Sequence, residues 1–483
     1  MSMSTTAVDL PAAFLPSQVR GRPVVGSLLE FRADRVALLR RIARDHGDVA
    51  RMKLGFFPIL IVSSGPVAHE VLVEKNDAFV KSAGLSIFAR PVLGDGLLTS
   101  EHAVHKRQRR MMAPVFAQKR IAGYGDVMVD KTEVCARGLE AAREKRSVVD
   151  LSEEMMRLTL DIVGKTLFDA EMAGHAAPIA EALTVSMRQM MRSITRVVPI
   201  PPAVPTPGNL RMRRAVKGLD DIVYEMIRER RASGHDPGDM LSMLLATRDA
   251  DDGTALTDAE VRDQAMTIML AGHETTANAL AWTFYLLARS PAVRARMEAE
   301  LRDVLGDRRA TAADLKALPY TLQVFKESMR LYPPAYMIGR RATREVSVGG
   351  ARVKKGQIVL INVLGLQRRA DVFPDPDRFD PERFAEGREK QLPPLAYMPF
   401  GGGPRVCIGN QFALMEGHLV LATLARRFRF ELAGHAATGD LEGEPLVTLR
   451  PKGGLPVTVL PIQSGGASGP GTAPGRTAIL VSP

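Results

Sequence analysis

Cysteine is scarce in this chain: Cys135 and Cys407 are the two among 483 residues. Cys407 lies in Phe-Gly-Gly-Gly-Pro-Arg-Val-Cys-Ile-Gly, residues 400–409. Taken alone, a cysteine is most simply a small buried hydrophobe. The setting of this one says more. Gly401, Gly402 and Gly403 free the backbone to adopt positive φ and to approach something flat at close range. After Gly409, the apolar residues Phe412, Met415, Leu419 and Leu424 recur at helical spacing. The sulfur therefore sits at or just before a helix N-terminus, where the backbone dipole favours a thiolate. Arg405, two residues earlier, offers a guanidinium to an anion. Loop, thiolate and helix make a seat for a planar metal cofactor. The competing chemistry is a cysteine nucleophile with His418 or His105 as its base.

A second candidate lies in Ala-Gly-His-Glu-Thr-Thr-Ala-Asn, residues 271–278. It interrupts a long apolar run. Thr257 with Glu260 three residues on is a capping box, and Pro291 cannot continue a helix, so one helix of about 33 residues is expected between them. From Ala265 to Leu287 it is almost wholly apolar and should pass through the interior. Yet its centre carries Gly272, which weakens a helix by about 1 kcal/mol relative to Ala. It also carries Glu274, costly to bury unpaired, and Thr275 and Thr276, which bond back to carbonyls four residues earlier. A bent helix with a satisfied acid is the plain reading. Rules broken at one spot of a consistent element point instead to function. A further helix over Thr-Leu-Gln-Val-Phe-Lys-Glu-Ser-Met-Arg-Leu puts Glu327 and Arg330 at i, i+3, close enough to pair in its apolar surroundings. Arg383 follows in Phe-Asp-Pro-Glu-Arg-Phe.

These sites need elements to hold them. Strand-like runs occur at Asp48–Gly55, Phe57–Ser64 and Ala351–Val363, bounded by Gly or Pro. Most of the rest is helical in pattern, so the expected class is mainly α with a smaller β region. The chain is 46% hydrophobic and 25% charged, which is ordinary for a large core. Two distant cysteines give no disulfide framework and no four-thiolate cluster, and suit a reducing cytoplasm. The N-terminus shows neither a leader pattern nor a membrane span. Net charge is +11, with arginine clusters at residues 105–110, 211–214 and 228–231. No nucleic-acid motif accompanies them. They read as solvated helix faces, or as docking sites for an acidic protein.

Four stretches, in this order, resemble the cytochrome P-450 family of haem-thiolate monooxygenases. Residues 400–409 match F-x-x-G-x-R-x-C-x-G at every defined position. Residues 271–276 match the family's oxygen-activation motif, Glu-Ser-Met-Arg its E-x-x-R and Pro-Glu-Arg-Phe the partner motif. The resemblance implies one triangular helical domain over residues 21–462 around a buried haem b, after a flexible segment at 1–20 and before a low-complexity tail at 463–483. It implies Cys407 as axial thiolate, with Phe400, Gly401, Gly409, Ala271 and Gly272 against the haem. Arg405, His105, Arg109 and Arg340 would meet its propionates, with Arg341 the competing register for the last. Thr275 would hold dioxygen, Glu274 would relay protons from solvent, and Gly272 would leave room beside the helix. Glu327, Arg330 and Arg383 would form a structural ion-pair network. Gln367–Arg368 stands where many members carry His-Arg.

The candidate substrate pocket is apolar: Phe88, Leu97, Met191, Met269, Tyr336 and Ile338, with plain core as the alternative. No G-x-G-x-x-G joins a strand to a helix. Electrons from NAD(P)H are therefore expected through a separate ferredoxin or flavodoxin and its reductase, to a cytoplasmic monomer. The competing activities are a peroxygenase or rearranging enzyme and a non-catalytic haem sensor; the first kind typically lacks the acid–threonine pair kept here.

Overall fold

The computed structural model describes residues 16–172, 174, 176–248 and 253–462. Its longest element, Asp258–Arg289, begins where the capping box demands. The Glu260 N–H donates to Thr257 Oγ1 at 3.2 Å, and the Thr257 N–H donates to Glu260 Oε2 at 2.9 Å. It stops at Ser290 because Pro291 opens the next helix, Pro291–Leu305. The 32 residues span about 48 Å at about 1.5 Å each. Leu151–Phe168, Pro207–Ser233, Pro319–Leu331 and Asn410–Ala425 all pack against this central helix. Trp282, fully buried, stacks on Tyr332 with ring centroids 3.9 Å apart and donates to the Leu449 carbonyl at 3.0 Å. Truncating such a side chain to alanine costs about 3–5 kcal/mol.

A six-stranded sheet flanks the helices, in the order Ser17–Gln18, Val49–Leu54, Phe57–Val62, Ile358–Ile361, Ile338–Ala342, Phe79–Lys81. Phe57–Val62 and Ile358–Ile361 run parallel, and Ile338–Ala342 is antiparallel to both its neighbours. A separate apolar layer, including Leu60, Val62, Leu72, Phe79 and Ile361, packs around this sheet. At its edge Lys81 pairs with Arg340, which brings two cations into register.

Two expectations change. The run Ala351–Val363 is not one strand. It forms Ala351–Val353, paired with Val346–Val348, and then Ile358–Ile361 inside the large sheet. The turn between them holds Gly356 at φ 83°, a conformation that favours glycine. The ordered fold also reaches into the segment expected to be flexible: Ser17–Gln18 pairs with Ala50–Arg51, and Val19 is buried. The tail at 463–483 lies outside the described residues.

Candidate active site

The Cys407 loop is shaped by glycines that no other residue could replace cheaply. Gly401 has φ 73° and Gly403 φ 68°. A Cβ on Gly403 would lie 2.0 Å from the Leu72 carbonyl oxygen. The Cys407 N–H donates to the Phe400 carbonyl at 3.0 Å and closes the loop. The helix Asn410–Ala425 follows, with Gly409 as its N-cap. By surface area Cys407 is exposed. Even so, burial is the main influence on its thiol and pushes its pKa up, while the Gly409 N–H and Arg109 pull it down. The sulfur is thus surrounded by many protein atoms and yet open to contact, as a ligand to an added group must be. Cys135 is the opposite case: burial pushes its thiol up to about 12, as for an inert core residue.

Beside this loop is an unbalanced charge cluster. Arg405 donates to the Ser100 carbonyl at 3.1 Å and pairs with Glu101. Lys81, 5% exposed, donates from Nζ to Ser100 O at 2.6 Å and Leu97 O at 3.2 Å, while its N–H donates to Glu101 Oε1 at 2.5 Å. Burial, then the charge of Arg405, lowers Lys81 to about 7 and Arg340 to about 10. His105 falls to about 3 through burial and then repulsion from Arg405, Lys81, Arg109 and Arg340. Arg109 donates to the Val406 carbonyl at 2.8 Å, tying the helix His102–Met112 to the Cys407 loop. Arg341 is exposed, so Arg340 is the arginine that enters the cluster. Glu101 and Lys81 were missed in the sequence. Glu101 directly precedes the helix His102–Met112 and was within reach of a local reading; Lys81 arrives by strand pairing and was not.

The central helix carries the interrupted segment where the sequence places it. Ala271, Gly272 and Thr275 are half-buried in a stretch otherwise buried, and at i, i+1 and i+4 they share a face. Thr275 Oγ1 donates to Ala271 O at 2.7 Å. A Cβ on Gly272 would lie 3.0 Å from a Val163 methyl, so the glycine allows close approach of Leu151–Phe168. Glu274 does not face solvent. It is 1% exposed, accepts from Thr448 Oγ1, and pairs with Arg450 at 3.0 Å. Arg450 also donates to Thr184 Oγ1 at 3.1 Å, so it links the acid to the helix Ala176–Ile194. Nothing local in the sequence announced Arg450, 176 residues from its partner.

Glu327 and Arg330 are paired at 2.6 Å with both side chains fully buried, and Arg383 approaches Glu327 at 3.4 Å. Gln367 is buried in the same region. Its amide donates to the Met329 and Arg330 carbonyls at 3.1 and 3.0 Å and accepts from the Met398 N–H at 2.9 Å. The departure from His-Arg is therefore a packing solution that holds the chain just before the Cys407 loop.

Of the pocket candidates, Ile338 is near that loop: a Cβ on Gly401 would lie 3.6 Å from its Cδ1. The Leu97 N–H donates to Gln264 Oε1 of the central helix at 3.0 Å. Phe88, Met191 and Met269 are buried. Tyr336 is fully buried, and its hydroxyl donates to Leu446 O at 2.9 Å and accepts from Arg35 at 2.7 Å, which makes it a structural tie and not a free pocket wall. His418 Nε2 donates to Leu318 O at 2.9 Å and burial lowers its pKa to about 4, so it is committed elsewhere than to Cys407.

Among the described residues no three His, Cys, Asp or Glu side chains gather as a ligand set. A lone thiol with surplus buried cations fits a cofactor that brings its own equatorial donors and its own carboxylates. Haem is such a group. The sequence profile of the Cytochrome P-450 family matches residues 16–457. The chain belongs to the cytochrome P-450 family. Its relatives include cyclooctatin synthase of Streptomyces melanosporofaciens, 37% identical over 411 residues, 85% of this chain and 88% of that one. Cyclooctat-9-en-7-ol 5-monooxygenase of the same organism is 38% identical, covering 80% and 83%. Pentalenene oxygenase of Streptomyces avermitilis is 31% identical, covering 84% and 89%. This P-450 is a haem-dependent monooxygenase of apolar small molecules. No helix among its described residues is long and apolar enough to cross a membrane.

Proposed function

We propose that this P-450 hydroxylates a C–H bond of a cyclic terpene, with Cys407 as the axial thiolate and Arg340, Arg405, Arg109 and His105 at the haem propionates. The observation that carries the residue assignment is the excess of largely buried cations beside an accessible thiol: Lys81, Arg340 and Arg405 share one close carboxylate, Glu101, while Asp95 is paired with Arg90. Buried charge of one sign is costly unless paired, and two propionates would balance it. The terpene assignment rests on the relatives' names and on the apolar segments around Phe88, Met191 and Ile338.

Bound haem supplies dioxygen activation and oxygen insertion, with two electrons per turnover from NAD(P)H through a separate ferredoxin or flavodoxin and its reductase. The chain supplies position and protons. Because Thr275 gives its own proton to Ala271 O, its Oγ1 lone pairs are left to accept, and it holds a protonated group on that face of the helix. A proton that comes by Glu274 must pass the Arg450 and Thr448 contacts, so Arg450 has to release the carboxylate first. The test is the carbon monoxide difference spectrum of the reduced protein. A strongly red-shifted Soret band in the wild type, abolished in Cys407→Ala, is the expected result. A wild-type band at the position of histidine-ligated haem overturns the Cys407 assignment.

A further inference from the structure

The smaller, three-stranded sheet has an open edge. Its strands lie in the order Phe428–Leu432, Pro456–Pro461, Val148–Asp150. Val148–Asp150 runs antiparallel to its neighbour, with Val148 opposite Thr458 and Asp150 opposite Pro456. The Leu151 N–H donates to Leu455 O at 2.8 Å. Antiparallel ladders alternate, so Val149 also bonds inward, while Val148 and Asp150 turn their backbone groups outward. Among the described residues, the Val148 N–H and C=O and the Asp150 N–H bond to no other backbone group. The edge is held firmly all the same: the Asp150 carboxylate accepts from the Ser152 and Leu455 N–H groups, both at 2.9 Å. Residues 144–148 are all exposed. Side chains two apart share a face, so Leu460 lies on the face of Thr458 and Val148. Val148 is 59% exposed and Leu460 37%. An open, apolar edge of this kind is a template for a further strand.

The same sheet is where the chain leaves the described fold. Pro456–Pro461 is its last strand, and the Ile462 N–H donates to Arg427 O at 3.2 Å. The sequence beyond has two parts. Gln463–Gly475 holds five Gly, two Pro and no charged residue. After Arg476 comes Thr477-Ala478-Ile479-Leu480-Val481, five residues without Gly, Pro or charge, three of them β-branched. The reach fits. From Ile462 to a strand outside Val148 is about 14 Å along the sheet and about 10 Å across it, roughly 17 Å in all. Thr477 lies 15 positions beyond Ile462, and a Gly-rich chain of that length spans about 20 Å. A tether matched to its span gives a millimolar effective concentration. Two copies joined edge to edge would pair only the 3 residues of each edge strand, without that advantage.

We infer that the Val148–Asp150 edge is the docking site of this chain's own segment Thr477–Val481, which adds a fourth strand to the small sheet. The Val148 and Asp150 backbone groups supply the ladder. Thr477, Ile479 and Val481 alternate onto one face, where Ile479 and Val481 extend the apolar strip of Val148 and Leu460. Val148–Asp150 leads directly into Leu151–Phe168, the helix packed on the central helix beside Gly272. The docked segment therefore braces the start of an element that borders the candidate active site.

The test is hydrogen–deuterium exchange of the haem-loaded full chain without substrate, read in peptides covering residues 147–151 and 477–481. Failure here leaves the monooxygenase reading untouched, and a failed carbon monoxide spectrum leaves the docking untouched. Both peptides are expected to exchange slowly in the wild type. Ile479→Asp with Val481→Asp should speed both about tenfold, with the peptide over Phe428–Leu432, at the far edge of the sheet, unchanged. The protection is intramolecular, so it should hold over a roughly hundredfold range of protein concentration. Free exchange at 477–481 in the wild type overturns the proposal. So does exchange at 147–151 that is indifferent to the pair of changes. Protection that appears only at high protein concentration overturns it as well, because it assigns the edge to a second copy of the chain.

Discussion

Two buried charge clusters in this P-450 differ in one respect. Around Arg330 the accounts close: its five N–H donors reach both Glu327 oxygens and the carbonyls of Gln367, Pro376 and Arg378. Around Arg340 they stay open, because Lys81, Arg340 and Arg405 share one close carboxylate, Glu101, with Asp95 a weaker influence on Lys81, and the cations keep His105 neutral. A closed network serves the fold alone. An open one, although less deeply buried, keeps an excess of cations that an anion from outside would balance, and so it marks where a ligand belongs.

That contrast predicts opposite responses to similar substitutions. The largest effect is expected from Glu327→Ala. It strands Arg330 without its carboxylate in a fully buried position and should cost about 3–5 kcal/mol, seen as a lowered urea midpoint with or without haem. A change below about 1 kcal/mol would mean that the carbonyls alone satisfy Arg330. Arg340→Met should do the reverse in the two states. The haem-free protein should be no less stable, because a repelling cation is gone, while haem should dissociate about tenfold faster or more. Equal destabilisation of both states would erase the distinction between the clusters.

A separate effect concerns a buried acid outside both clusters. Glu416 is fully buried, neither carboxyl oxygen has a hydrogen bond of good geometry, and Thr276 is the polar group facing it. Burial raises its pKa from 4.5 to about 8. Between those values the native state keeps the proton and the unfolded chain releases it, so stability falls as pH rises through that window and then levels. In Glu416→Gln this part of the pH dependence should vanish, which in thermal unfolding amounts to roughly a few degrees. Parallel profiles for both proteins would show that the carboxylate is already ionised and partnered.

The sequence disclosed these regions unequally, for physical reasons. The central helix was legible from Thr257 to Pro291 because capping boxes and prolines act within one turn. Glu327 with Arg330 was legible because i, i+3 spacing is a contact in itself. The propionate candidates were only half legible: His105 and Arg109 lie one turn apart, but Lys81 meets Arg340 only through pairing of strands some 260 residues apart. Glu274 was recognised as an acid in an apolar helix, whereas its partner Arg450 depends on where a hairpin near the C-terminus lands. The strand at 351–363 was drawn too long because its β-branched run masked the turn at Gly356.

Gln367 has a consequence for electron transfer. Its amide bonds only to backbone groups, two carbonyls on one side and the Met398 N–H on the other, so it acts as a cross-strut in the main chain. The loop that presents Cys407 is thereby clamped to the Glu327–Arg330 helix two residues before it begins. When an electron arrives at the proposed haem, this scaffold has little freedom to shift, and the protein's share of the reorganisation energy stays small.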